Sequence, residues 1–161
     1  MSDDNRGENN NNIEFNVYKI RGIIRGYYAQ TKFSNNQTGI IFFTKDRLKN
    51  CTEFTVAFGI SNKKKYIKQW LLGKKDMESY ITGNCGIEGL VWAKNALLQF
   101  EECISKIYRH SRIVIIASDS RRKRIYRHYL EREGYKFCRY YGYEALIKDI
   151  KNIKGEEKCL Q

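Results

Sequence analysis

From Ile87 to Tyr108 the apolar residues Leu90, Ala93, Leu97, Phe100, Ile104 and Ile107 recur at steps of three and four. That is the spacing of one helical face, and it predicts a long amphipathic helix. Shortly afterwards comes Ile113-Val114-Ile115-Ile116, an unbroken apolar run suited to a strand buried on both faces. Ser118-Asp119-Ser120 then offers an N-cap, and a second helix is expected to run to about Glu133 and stop at Gly134. Each of these elements carries an apolar surface that only another element can cover. The succession therefore confines this half of the chain to a layered α/β arrangement.

The first half reads as strands. Ile13, Phe15 and Val17 alternate with Glu14, Asn16 and Tyr18, the period of a half-buried strand. The apolar stretch 22–33, the turn chemistry of Ser34 to Gly39 and the run Ile40 to Thr44 predict a hairpin. Phe54, Val56 and Phe58 mark another strand over 54–60, and a short basic helix is expected over 62–73. At the far end, 135–143 reads as one final aromatic strand and 145–153 as a short amphipathic piece. The expected fold class is α/β (α+β), with a mixed, mostly antiparallel central sheet flanked by helices.

Residues 1–12 are polar and Asn-rich and cannot repay their ordering entropy, so they are expected to form a disordered tail. Residues 13–154 suit a single domain, with 155–161 a flexible tail. No apolar run reaches eighteen residues and the N-terminus lacks an apolar signal core, so no membrane partner is expected. The five cysteines, Cys51, Cys85, Cys103, Cys138 and Cys159, include no Cys-x-x-Cys pair, and neither His110 nor His128 sits in a His-Glu-x-x-His pattern. A disulfide framework and a metal site are therefore not expected, and reduced thiols point to a cytoplasmic location.

Charge is the strongest bulk signal. The net charge is +12. Asp3, Asp4 and Glu8 against Arg6 give the first twelve residues −2, which leaves +14 on the rest. Such a surface attracts polyphosphates, nucleic acid or anionic lipid, although a coding bias toward Lys, Asn and Ile would also account for it.

Two segments could focus that charge. In Thr82-Gly83-Asn84-Cys85-Gly86-Ile87-Glu88-Gly89, three glycines lead into the long helix. They allow close backbone approach, and the free N–H groups of a first turn can bind phosphate. The plain alternative is an ordinary glycine turn. Glu88 opposes an anion unless its side chain points away. In the second segment, Arg121-Arg122-Lys123-Arg124 opens the following helix. Cations there oppose the helix dipole at some tenths of a kcal/mol each, a cost that a bound polyanion would reverse. Tyr126, Tyr129, Tyr140, Tyr141 and Tyr143 can stack, donate a proton or simply fill the core.

Residues 83–143 resemble the GNAT superfamily of N-acetyltransferases. Gly83-Asn84-Cys85-Gly86-Ile87-Glu88-Gly89-Leu90 is similar to that family's pyrophosphate loop, Gln/Arg-x-x-Gly-x-Gly/Ala: Gly86 matches the central Gly, Gly83 replaces Gln or Arg, and Glu88 replaces the second small residue. Ile113 to Ser120, then Tyr126 to Leu130 and Gly134-Tyr135, are similar to the family's strand, cofactor-side loop and Tyr-x-x-x-Gly-Phe ending, with one extra residue between Tyr129 and Gly134. The resemblance implies an acetyltransferase-like fold that binds acetyl-CoA through Gly83, Asn84, Cys85, Gly86, Ile87, Gly89, Asp119, Arg121 and Arg122. It also implies acetyl transfer from coenzyme A to an amine acceptor of unknown identity, with Tyr129, or failing that Tyr126, protonating the leaving thiolate. Glu53 or Glu14 could accept the amine's proton. The alternative from charge alone is a nucleic-acid-binding domain without catalytic activity.

Overall fold

A computed structural model describes residues 12–63, 65, 86–116 and 120–152. They form a mixed α/β fold with seven strands in one mostly antiparallel sheet and two helices. Strands β1 (Asn16–Ile20), β2 (Ile23–Lys32), β3 (Thr38–Arg47) and β4 (Thr52–Ser61) form an antiparallel meander. Helix α1 (Gly86–Ile107) precedes β5 (His110–Ile116), which lies parallel to β4. Parallel neighbours need a crossover rather than a tight turn, and α1 lies in that connection. Helix α2 (Ser120–Leu130) runs into a 3-10 turn (Glu131–Glu133), and the hairpin β6 (Lys136–Tyr140) and β7 (Tyr143–Lys151) completes the sheet. The strand order is β1-β2-β3-β4-β5-β7-β6.

Register explains why these strands share one core. Val17, Tyr27, Phe43, Val56, Ile115, Leu146 and Phe137 are successive cross-strand partners from one edge to the other. Partners in register project to the same face, so one apolar row crosses the whole sheet. Beside it run Ala29, Ile41 and Phe58, and then Phe54 with Ile113. Ala96, Leu97, Phe100 and Ile104 of α1 join this face in a single buried cluster, with Leu130 of α2. Phe100 stacks on Phe43 with ring centroids 3.7 Å apart and meets Phe54 edge-on at 5.1 Å. Of the expected stripe, Leu97, Phe100 and Ile104 pack into the core, Leu90 and Ala93 are only partly buried and Ile107 is exposed, while the helix spans nearly the residues its periodicity marked.

The C-terminal end corrects the sequence reading. Residues 135–143 are not one strand, and 145–153 is not a separate amphipathic piece: a hairpin turns at Tyr141-Gly142, and β7 carries the chain back to Lys151. Both turn residues have positive φ, 47° and 80°, which suits the twist of a two-residue hairpin. Arg21-Gly22 makes the same kind of turn between β1 and β2. Within the expected two-sided buried strand, Ile113, Val114 and Ile115 are buried, while Ile116 at its end is exposed. The second helix ends as read, with Gly134 in the left-handed region at φ 92°. The expected basic helix over 62–73 and both expected tails fall largely outside the described residues. Among the described residues no helix is long and apolar enough to cross a membrane.

Candidate functional site

Arg122, Tyr126, Tyr129 and Leu130 recur at helical spacing, so α2 presents them along one side. Ile87, Val91, Lys94 and Leu98 do the same on α1. Between the two helices lies a cavity of about 560 Å³, which all eight of these residues line. Ile41, Val56, Phe58 and Ile115 contribute sheet residues to its wall. Lys94 and Glu133 form an ion pair at 3.0 Å, tying α1 to the turn after α2.

Two features of this cavity bear on ligand binding. The first is that Ile87, in the first turn of α1, and Arg122, in the first turn of α2, meet at the same space. The second lies in the sheet. Parallel pairing of β4 with β5 runs from Thr52/Ser111 to Val56/Ile115. Among the described residues it stops there, although Ala57 and Ile116 continue their strands and both line the cavity. The β5-facing edge of β4 beyond Val56 therefore has backbone groups that β5 does not satisfy.

Glu88 is turned to a different task. Its carboxylate accepts hydrogen bonds from the Ser34 amide at 3.1 Å and from the Ser34 hydroxyl at 2.6 Å. These bonds hold its pKa below the ordinary carboxylate value and fasten α1 to the β2–β3 turn. Gly86, the first residue of α1, has φ 53°, a left-handed conformation that favours glycine.

Of the residues expected to hold a cofactor, Gly86 and Ile87 stand in the first turn of α1, and Gly89 is buried there. Arg122 lines the cavity, whereas Arg121 is exposed. Gly83, Asn84, Cys85 and Asp119 lie outside the described residues. Both expected proton donors line the cavity: Tyr126 packs partly into the core, and Tyr129 is 44% exposed. On α2 the cations diverge. Lys123 pairs with Glu144, and Arg127 bonds Glu131 and lies over the Phe137 ring at 4.3 Å.

A second polar cluster escaped sequence reasoning. Glu53 on β4, Arg112 on β5 and Asp149 on β7 are successive cross-strand partners, on the face away from the Phe43 row. Tyr140 donates to Glu53, and Arg112 Nε donates to Asp149 at 2.9 Å. Burial first, then the bond to Glu53, raises the Tyr140 pKa, while Asp149 and then Tyr140 raise that of Arg112. Glu53 is therefore a buried acceptor already engaged by a phenol. Glu14, the other expected proton acceptor, is exposed. Among the described residues no group of three His, Cys, Asp or Glu side chains could hold a metal ion.

No protein-family model matches this chain. No curated protein and no solved structure matches it either.

Proposed function

We infer that the chain is an acetyltransferase-like protein, its sheet flanked by helices, that uses acetyl-CoA to acetylate an amine. The observation that carries this reading is the meeting of Ile87 and Arg122 at one cavity. The opening turn of α1 and a cation of α2 can then act on the same negative guest. The end of β4–β5 pairing at Val56 supports it as well, because an extended polar chain can bond to a strand edge that β5 does not cover. Glu88 does not oppose it, since that carboxylate is occupied with Ser34.

Acetyl-CoA held there by the first turn of α1 and Arg122 would supply an acyl thioester to the acceptor's nitrogen, with the thiolate as leaving group. Arg122 holds negative charge at the rim, and the apolar wall excludes water. Tyr129 would give a proton to the departing sulfur, with Tyr126 the second choice; both line the cavity. The amine's surplus proton leaves to solvent or to a carboxylate. Among the described residues, Glu53 serves less readily because Tyr140 already donates to it.

Isothermal titration with acetyl-CoA tests the reading. Saturable heat at or below millimolar ligand supports it, and no heat at that concentration ends it. Gly86→Glu should abolish the heat, because it puts a side chain and a negative charge on a left-handed residue at the helix mouth.

Nucleic acid is the second reading, without catalysis. It is favoured by Arg121 and Arg124, which are exposed on α2 and have no acidic partner among the described residues. It requires affinity that falls steeply with salt, with a log–log slope near about −0.9 per phosphate neutralised on duplex DNA.

A further inference from the structure

The interior of the α1–α2 cavity is oily. Among the described residues Val91, Leu98, Ile115, Ile116 and Leu130 dominate its lining; of the charged ones, Lys94 is paired with Glu133 and Arg122 contributes a positive charge. At about 560 Å³ the space is in the range of whole small-molecule sites. An acetyl group would leave most of that apolar wall uncovered by hydrocarbon. We propose that this cavity takes a medium- or long-chain acyl group, and that the physiological donor is a fatty acyl thioester rather than acetyl-CoA alone.

This rests on the acyl-CoA reading and extends it. The head of such a donor is anionic and belongs near Arg122 and the first turn of α1. Its thioester arm belongs along the β4 edge beyond Val56, where pairing to β5 has stopped. Its chain then enters the apolar space between the helices over Ile115 and Leu98. Hydrocarbon suits that space because it asks for no hydrogen bonds, and the lining offers few.

Calorimetric titration of the full chain with CoA, acetyl-CoA and octanoyl-CoA, and separately with free decanoate, tests the proposal. Each fully buried methylene contributes about fourfold to affinity. Octanoyl-CoA should therefore bind at least about tenfold more tightly than acetyl-CoA after the cost of ordering the chain. Val91→Trp should bring that ratio toward one by filling the mouth. Val91 is half exposed, so the larger side chain need not disturb the core. Equal binding of acetyl- and octanoyl-CoA overturns the chain-length proposal and leaves the acyl-CoA reading standing. Binding of decanoate without any CoA ester overturns the acyl-CoA reading but supports a hydrocarbon site. Silence from every ligand overturns both.

Discussion

The Tyr135 hydroxyl donates to Oε1 of Glu101 at 2.5 Å, joining the start of β6 to the core-facing side of α1. Lys148 Nζ lies 3.0 Å from the other oxygen of the same carboxylate, and Glu101 is only 9% exposed. Two residues distant from it in sequence, Tyr135 and Lys148, thus satisfy one buried charge. Removing a single partner is the damaging change: Lys148→Met should destabilise the fold by about 3–5 kcal/mol, and Tyr135→Phe by about 1–3 kcal/mol. The double change Glu101→Leu with Lys148→Met should cost less than Lys148→Met alone, because no unpaired charge is left. Urea denaturation of the four proteins checks this ordering.

Tyr27 donates to or accepts from Tyr108 at 3.0 Å, and burial, with that bond second, pushes its pKa up to about 12. In the unfolded chain the phenol ionises near 10. A raised folded value means the unfolded state releases its proton first as pH rises. The contribution of Tyr27 is therefore intact below 10 and lost progressively between 10 and about 12. Denaturation midpoints measured across that window should fall less steeply for Tyr27→Phe than for the parent.

Phe100 touches Phe43, Phe54, Phe15 and Tyr27 and is almost fully buried. Phe100→Ala should cost about 3–5 kcal/mol, while Phe100→Leu should cost less. Chemical denaturation monitored by circular dichroism reads both.

Tyr141 holds φ 47° at the tip of the β6–β7 hairpin with 82% of its surface exposed. A bulky side chain in that conformation costs about 1 kcal/mol and here returns little packing. Tyr141→Asn should stabilise the protein by a few tenths to about 1 kcal/mol, whereas Gly142→Val, at φ 80°, should destabilise it. A rise in Tm for the first and a fall for the second are the expected readings.

At the candidate site, Arg122→Glu should weaken acetyl-CoA binding by at least about tenfold through loss of a charge-assisted contact and gain of repulsion. Tyr129→Phe should lower kcat with little change in KM, and Tyr126→Phe should do so less. Titration calorimetry measures the first effect and steady-state rates the others.

The contrast between α1 and the β6–β7 hairpin shows what a single chain discloses. Packing on a sheet imposes a stripe every three or four residues, so Leu97, Phe100 and Ile104 announced their helix and its buried side. Two-residue turns announce themselves only through residues that tolerate positive φ. Tyr141 hides that signal where Asn would have displayed it, so two strands read as one. Four residues that line one cavity were legible: Ile87 and Arg122 were singled out by the glycine-rich segment and the basic run, and Tyr126 and Tyr129 by the GNAT resemblance. Glu53 with Tyr140, and Ser34 with Glu88, were not. Each joins residues far apart in the chain through tertiary contacts that no local pattern encodes.

The early parting of β4 from β5 has a kinetic counterpart. Amides of β4 up to Val56 are clasped from both sides, and should trade their protons for deuterium only when the whole molecule opens. Those just past it that face away from β3 have no β5 partner among the described residues, and should trade within a much shorter time. A boundary in exchange lifetime should therefore fall between Val56 and Ala57. A guest lying along that edge should move the boundary toward Ser61.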